Sequence, residues 1–198
     1  MNNIPIERHP LPPFLPTNAK VLMLGSFPPQ QKRWSINFFY PNYTNDMWRI
    51  LGILFYRDKN NFVDLKNKKF KEDEIIEFAE TKGIAFYDTA VAVRRLKDNA
   101  SDKYLEIVEK TNIKKLVDKI PLCKAIVTTG EKATEALCKE LGIDKNPKMG
   151  TFEPFIYNNR EIRLYRMPSS SRAYPIKVEK KAEAYRTVFE GLYNIKQE

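Results

Sequence analysis

The sequence predicts an α/β fold, a three-layer α/β/α sandwich with a central four-stranded, mainly parallel sheet. Three observations predict it. Short apolar runs alternate with longer segments of helical period along the chain. Strands joined through helices run parallel, and a parallel sheet needs helices on both faces. Tight hairpin signals are scarce; the exception is YNNR at 157–160, which is suited to attach an antiparallel edge to the fourth strand. Finally, 198 residues, 42% of them hydrophobic, fit a single domain with a substantial core.

Taken in order, residues 1–19 contain five prolines and are expected to wrap the domain as an extended arm. Residues 20–24 (KVLML) read as a short buried strand ending at Gly25. The stretch GSFPPQQKRWSINFFYPNYTNDMW (25–48) is long for a loop. Its aromatic content speaks against disorder, and long ordered loops tend to be functional. Asn45 or Asp46 is placed to cap the next helix, where Met47, Trp48, Leu51, Leu54 and Phe55 share an apolar face. RDKNNFVDLKNKKF (57–70) reads as a polar, mobile connection. A helix through EDEIIEFAET stops at Gly83, and IAFY (84–87) is a second strand ending at Asp88.

VRRLKDNASDK reads as a basic polar segment, followed by one or two helices up to Lys119 and a stop at Pro121. AIVT (125–128) is a third strand with Gly130 behind it. In EKATEALCKELG, residues Ala133, Leu137, Cys138 and Leu141 fall at helical spacing. IRLY (162–165) is the fourth strand, and the last helix covers residues 179–193. Right-handed crossovers should place the strand at 20–24 inside, between those at 84–88 and 125–128.

These elements set up a positional coincidence. Gly25–Pro29, Asp88–Thr89, Thr129–Gly130 and Pro168–Ser171 each follow the C-terminal end of an expected strand. Ligands of open α/β sheets bind outside those ends, at the switch in strand order. Four segments distant in sequence therefore point to one cleft.

Composition narrows what that cleft holds. The formal charge is +9, from 34 basic and 25 acidic residues. Such an imbalance attracts a polyanion, although a solvated lysine-rich surface produces the same number. The opening residues MNNIPIERHPLPPFLP lack the basic start and apolar core of a signal peptide, and no apolar segment reaches transmembrane length. A cytoplasmic location, with no membrane association, is expected. Cys123 and Cys138 are too few for a four-cysteine metal site and read as buried thiols. The sole histidine, His9, lies among prolines in the arm and reads as incidental, which argues against a histidine-based metal site or catalytic dyad. No GxSxG elbow is present, and GSFPPQ matches neither a dinucleotide fingerprint nor a phosphate loop.

Each remaining candidate has a structural and a functional reading. Gly25 and Ser26 make a tight strand exit or a ligand-facing turn. Asn45 caps a helix, or else its carbonyl orients a water and its NH2 donates to a ligand. Asp88 pairs with a nearby arginine, Arg94 or Arg95, or else activates water and stabilises developing positive charge. Met47 and Trp48 belong to the helix core or to a platform. Together with Trp34, Phe38, Phe39, Tyr40 and Tyr43, Trp48 forms an aromatic group of the kind that stacks on bases. Ser169, Ser170 and Ser171, between Pro168 and Arg172, form a turn or contact a nucleic-acid backbone.

VLMLGSFPPQ, FFYPNYTNDMWRIL, GIAFYDTAVAVRRL and RMPSSSRAYP together resemble the motifs of the uracil-DNA glycosylase superfamily, with most similarity to its hypoxanthine (deoxyinosine) and mismatch-specific branches. The resemblance runs from Lys20 to Tyr193. It implies a monomeric, monofunctional enzyme that hydrolyses the N-glycosidic bond of a deaminated base, hypoxanthine or uracil, in double-stranded DNA, without a metal or other cofactor. It further implies that Gly25, Ser26, Phe27 and Pro28 line the base pocket. Asn45 matches the catalytic asparagine of an N-x-F-W sequence, with Met47 where the stacking aromatic sits, beside Trp48. Ser169 and Ser171 match serines of the second motif, Arg172 to Tyr174 match residues that push into the duplex, and Arg94, Arg95, Ser169, Ser171, Arg172 and Tyr174 are expected to contact the DNA. Phe27 stands where several relatives hold a water-orienting Asp or Asn, and Met167 where some have a base-contacting histidine. Those two departures keep an alternative open, a non-catalytic or RNA-directed nucleic-acid-binding protein on the same fold.

Overall fold

The computed structural model describes residues 4–97 and 104–195. In chain order its elements are β1 (Ile6–Arg8), β2 (Val21–Gly25), α1 (Met47–Tyr56), β3 (Val63–Asp64), β4 (Lys69–Phe70), α2 (Glu72–Lys82), β5 (Ile84–Asp88) and β6 (Ala90–Arg95). Then come β7 (Leu105–Lys110), α3 (Ile113–Lys119), β8 (Ala125–Thr129), α4 (Glu131–Leu141), β9 (Thr151–Tyr157), β10 (Arg160–Met167) and α5 (Val178–Phe189).

The main sheet has the order β5-β2-β8-β10-β9. Its first four strands are mutually parallel, with β2 inside between β5 and β8 as expected. The sheet has five strands rather than the expected four, because β9 pairs antiparallel on the outer edge of β10. The turn between them is Asn158-Asn159, with φ of 49° and 58°. Positive φ at both central residues is what a two-residue type I′ hairpin requires, and asparagine tolerates it better than most residues.

The chain moves one way along the sheet from β2 to β5, and the other way from β5 to β8 and from β8 to β10. Right-handed crossovers put the intervening helices on opposite faces. Phe55 of α1 stacks edge-on against Phe78 of α2 and Phe189 of α5, which ties three helices into one layer. In the other layer Glu140 Oε1 of α4 accepts the Ile113 N–H of α3 at 3.1 Å. Between the layers β2, β5 and β8 carry runs of buried apolar residues, Val21–Leu24, Ile84–Tyr87 and Ala125–Val127.

Two segments depart from the sequence reading. Of the one or two helices expected up to Lys119, α3 is present, but the residues before it form a strand: β6 and β7 pair antiparallel, with β1 on the other side, in a separate three-stranded sheet. The AVAVRR run buries Ala90, Ala92 and Val93, while β7 is exposed along nearly its whole length, Ile107 and Val108 included. Residues 98–103 of the expected polar segment lie outside the described residues. The 57–70 connection is pinned, because Phe62 and Phe70 are buried and β3 pairs with β4.

The proline-rich arm is extended, as expected, and it covers the free edge of β5. Phe14 and Phe86 exchange backbone hydrogen bonds of 3.1 and 2.9 Å, and the His9 N–H donates to Val91 O at 2.8 Å. An uncovered edge strand invites intermolecular pairing, and the arm removes that option.

Candidate functional site

A cleft of about 140 Å³ opens at the C-terminal ends of the parallel strands, where the strand order switches direction. It is lined by Gly25, Ser26, Phe27 and Pro28 after β2, by Asp88 at the end of β5, by Thr129 at the end of β8 and by Ser169–Ser171 after β10. The 25–46 loop supplies the remaining wall through Phe39, Tyr40, Asn42 and Asn45, and the arm adds Leu11. The volume falls below the roughly 300–1,000 Å³ of sites for drug-sized ligands. It suits one planar ring system rather than a whole nucleotide.

Asp88 is the carboxylate lining the cleft, and its two oxygens have different surroundings. Gly25 and Asp88 are register partners across β2 and β5. A Cβ at Gly25 would collide with Asp88 Oδ1, so the glycine is what lets this carboxylate lie over the strand end. The backbone there is tied down as well: Thr89 N–H donates to Gly25 O at 2.9 Å, and Thr111 Oγ1 donates to Asp88 O at 2.6 Å. Asp88 Oδ2 meets His9 Nε2 at 2.8 Å, with the histidine side chain 1% exposed. Its ring packs edge-on against Phe27 and tilted against Tyr87, with centroid separations of 5.5 and 4.7 Å. The lone histidine is therefore not incidental, and Asp88 pairs with it rather than with an arginine.

Asn45 lies at the start of α1, facing the serine loop. Its Oδ1 accepts the Met47 N–H at 2.9 Å, which fixes the amide orientation and directs the Nδ2 donors elsewhere. The helix-capping role thus falls to the oxygen, and the ligand-facing role is left to the NH2. Asp46, the residue preceding the helix, makes no side-chain cap. Its carboxylate instead meets Lys181 Nζ of α5 at 2.8 Å, and that lysine is fully buried. Lys181 Nζ also donates to Ser171 O at 2.7 Å, Tyr185 Oη to Pro168 O at 2.9 Å and Asp46 N–H to Ser170 O at 2.8 Å. These bonds fasten the PSSS loop to the Asn45 turn, and both segments line the cleft.

Other candidate residues are placed differently. Met47 and Trp48 are fully buried in the core, where Trp48 Nε1 donates to Phe39 O at 3.0 Å; neither lines the cleft. Of the aromatic group only Phe39 and Tyr40 reach it, while Phe38 is buried and Trp34 and Tyr43 lie elsewhere. Arg94 and Arg95 do not face the cleft either. Arg94 pairs with Glu106 at 2.9 Å, and buried Arg95 holds Glu7 and donates to Pro28 O at 3.1 Å. Arg95 thereby braces the turn that Pro28 makes. Ser171 and Arg172 are exposed, and Arg172 Nε lies 3.5 Å from Asp46 Oδ1. Tyr174 is half-buried, with its hydroxyl against Met149 Sδ at 3.2 Å. Met167 is buried.

Two site features had no clear signal in the sequence. One is His9, whose position depends on how the arm docks. The other is the conformation of Tyr40, a member of the aromatic group, held at a positive φ of 50° with its hydroxyl buried and without a hydrogen-bond partner among the described residues. Burial pushes that phenol well above its usual range. Among the described residues no group of three or more His, Cys, Asp or Glu side chains is placed to hold a metal ion. No helix among them is long and apolar enough to cross a membrane.

Against this geometry one solved structure is informative. The solution NMR structure of a protein described as a "putative Uracil DNA glycosylase" from Methanosarcina acetivorans superposes with a TM-score of 0.65. The two chains have that fold in common. The match covers 94% of this chain and 98% of that one, at 21% sequence identity. No protein-family model matches the chain, and no curated protein matches it.

Proposed function

We propose that this protein is a monofunctional DNA glycosylase that removes a deaminated base, hypoxanthine or uracil, from double-stranded DNA. One observation carries the reading: Asn45, Asp88, the Gly25–Pro28 turn and the serine loop, separated in sequence, line one cleft sized for a single base. A fold in common with the archaeal protein supports it.

The chemistry follows from the groups present. An enzyme acting on a base takes it out of the stack and holds it by edge hydrogen bonds and ring contacts. Asn45 Nδ2 donates to the base edge, while the backbone at Ser26 and Phe27 faces the charge that builds on the departing ring. As the C1′–N bond breaks, its electron pair leaves with the base and the sugar becomes cationic. The Asp88 carboxylate stabilises that cation and takes a proton from the water that adds to C1′. That proton then passes to the released base. Phe27 contributes an apolar wall and no water contact, so water positioning rests on Asp88. Arg172 and Ser171, exposed beside the cleft, contact phosphates.

The test is incubation with duplexes bearing hypoxanthine, uracil or only normal bases, followed by alkaline cleavage at abasic sites. The proposal expects strand cleavage after alkali for at least one deaminated base, and none without alkali. DNA binding with no abasic product from any duplex or single strand favours a nucleic-acid-binding protein that keeps the fold and lacks the chemistry.

A further inference from the structure

The arm that covers β5 delivers a side chain to the cleft. Backbone hydrogen bonds tie residue 9 to Val91 and residue 14 to Phe86, so the intervening chain must pass Asp88. His9 lies at that crossing, with Nε2 2.8 Å from Asp88 Oδ2. Its Nδ1 is held by the Leu11 backbone, 3.1 Å from the N–H and 2.8 Å from the carbonyl oxygen. Phe27, Phe39 and Tyr87 surround the ring and prevent it from rotating away. Both ring nitrogens are therefore engaged in a nearly solvent-free site.

Resting on the glycosylase reading, we infer that His9 is the positioning residue for Asp88. It donates from Nε2 to Oδ2 and so leaves Oδ1, the oxygen against Gly25, as the one that acts on water and the sugar cation. A carboxylate with one oxygen held by a buried donor keeps a single orientation. One without that donor swings between the cleft and the arm, and misplacement of about 1 Å costs roughly 100-fold in rate. The arm is thus part of the active site, and its docking completes the catalytic unit. An imidazole beside a carboxylate is also a frequent general base, but here Nε2 directs its proton at the carboxylate and Nδ1 is held by the Leu11 backbone, so neither nitrogen faces the cleft. His9 accordingly acts through Asp88.

His9→Phe keeps the ring packed against Phe27, Phe39 and Tyr87 and abolishes the donor, whereas His9→Gln keeps a donor of similar reach. Single-turnover base release should fall about 100-fold in H9F with DNA affinity within about twofold of wild type. H9Q should regain most of the rate, and adding H9F to D88A should cost nothing further. Equal release by H9F and wild type, or an equal H9F penalty with and without Asp88, overturns the inference. An independent readout comes from composition: the chain has a single histidine, so its imidazole signals need no assignment. A nitrogen-correlated spectrum should show a proton resident on Nε2, protected from exchange in wild type and exposed in D88A. An Nε2 proton equally protected in D88A contradicts the pairing. If wild type releases no base, the glycosylase reading falls, and this spectrum decides the His9–Asp88 pairing by itself.

Discussion

Asp88 Oδ1 occupies the space in which any side chain at Gly25 would place its Cβ. The glycine is needed here for room, since its backbone makes no left-handed turn. A carboxylate tip can move aside at little cost in stability, but in doing so Asp88 gives up the orientation that His9 sets through Oδ2. Gly25→Ala should therefore cost little in stability and much in function. Melting should drop by no more than a few degrees, while single-turnover base release slows about 100-fold. A G25A protein that excises like wild type shows that Asp88 reaches its position without the glycine.

The Lys181–Asp46 pair makes a prediction about folding. Lys181 is fully buried and its ammonium is shared between Asp46 and Ser171 O. Removing one member of such a pair leaves the other charge buried and uncompensated, at about 3–5 kcal/mol. Lys181→Met should lose that much stability in urea unfolding, and Asp46→Asn in the same chain should recover part of it. Unchanged stability in K181M shows that the pair is open to water in solution.

Much of this architecture is legible in the residues, and the parts that are not have physical causes. The parallel strands announce themselves as runs such as VLML, IAFY and AIVT, because strands buried on both faces are apolar throughout. Their C-terminal turns locate the cleft without coordinates. AVAVRR is weaker: alanine alternates with valine and two arginines close the run, while the neighbouring LEIVEK has the composition of a helix and becomes a strand through pairing with β6. Trp48 and Phe38 illustrate another limit, since composition cannot say whether an aromatic faces a ligand or the core. His9 is the clearest case. Nothing near residue 9 suggests Asp88, which is 79 positions away, and only the pairing of the arm along β5 and β6 joins them.

Arg172 is half exposed, with 51% of its side chain accessible, beside the serine loop, and Asp46 engages it only at 3.5 Å. It is free to turn towards a phosphate. Arg172→Ala should weaken binding to unrelated duplexes about equally and reduce the slope of log K against log salt by about 1. Titrations at several salt concentrations check this, and an unchanged slope removes Arg172 from the DNA contact set.

Alkaline conditions should unfold the protein before its surface chemistry demands it. Burial pushes the Cys123 thiol up to about 11 from 9.0, and burial likewise raises the Tyr40, Tyr185 and Tyr193 phenols. Groups with raised folded values hold protons that the unfolded chain releases, so stability falls as pH rises. The Cys123 contribution, on the order of 3 kcal/mol, is intact below pH 9.0 and lost towards about pH 11. The tyrosines extend the loss beyond that. Urea midpoints should decline steadily across this range, with m-values unchanged, and thiol labelling of the folded protein at pH 8 should be slow. Rapid labelling of both cysteines in the folded state contradicts the burial of the pair.

The most direct test of the central claim is the single-turnover rate of base release by wild type, Asn45→Ala and Asp88→Asn on the same deaminated duplex, with DNA affinity measured alongside. The account predicts at least a 100-fold fall in rate for each variant, in keeping with the usual size of acid–base and charge-stabilising effects. Affinity should stay within a few-fold, and N45A should be less stable by about 1 kcal/mol for the lost backbone bond at the start of α1. Release at the wild-type rate by both variants would place the chemistry outside this cleft and contradict the account.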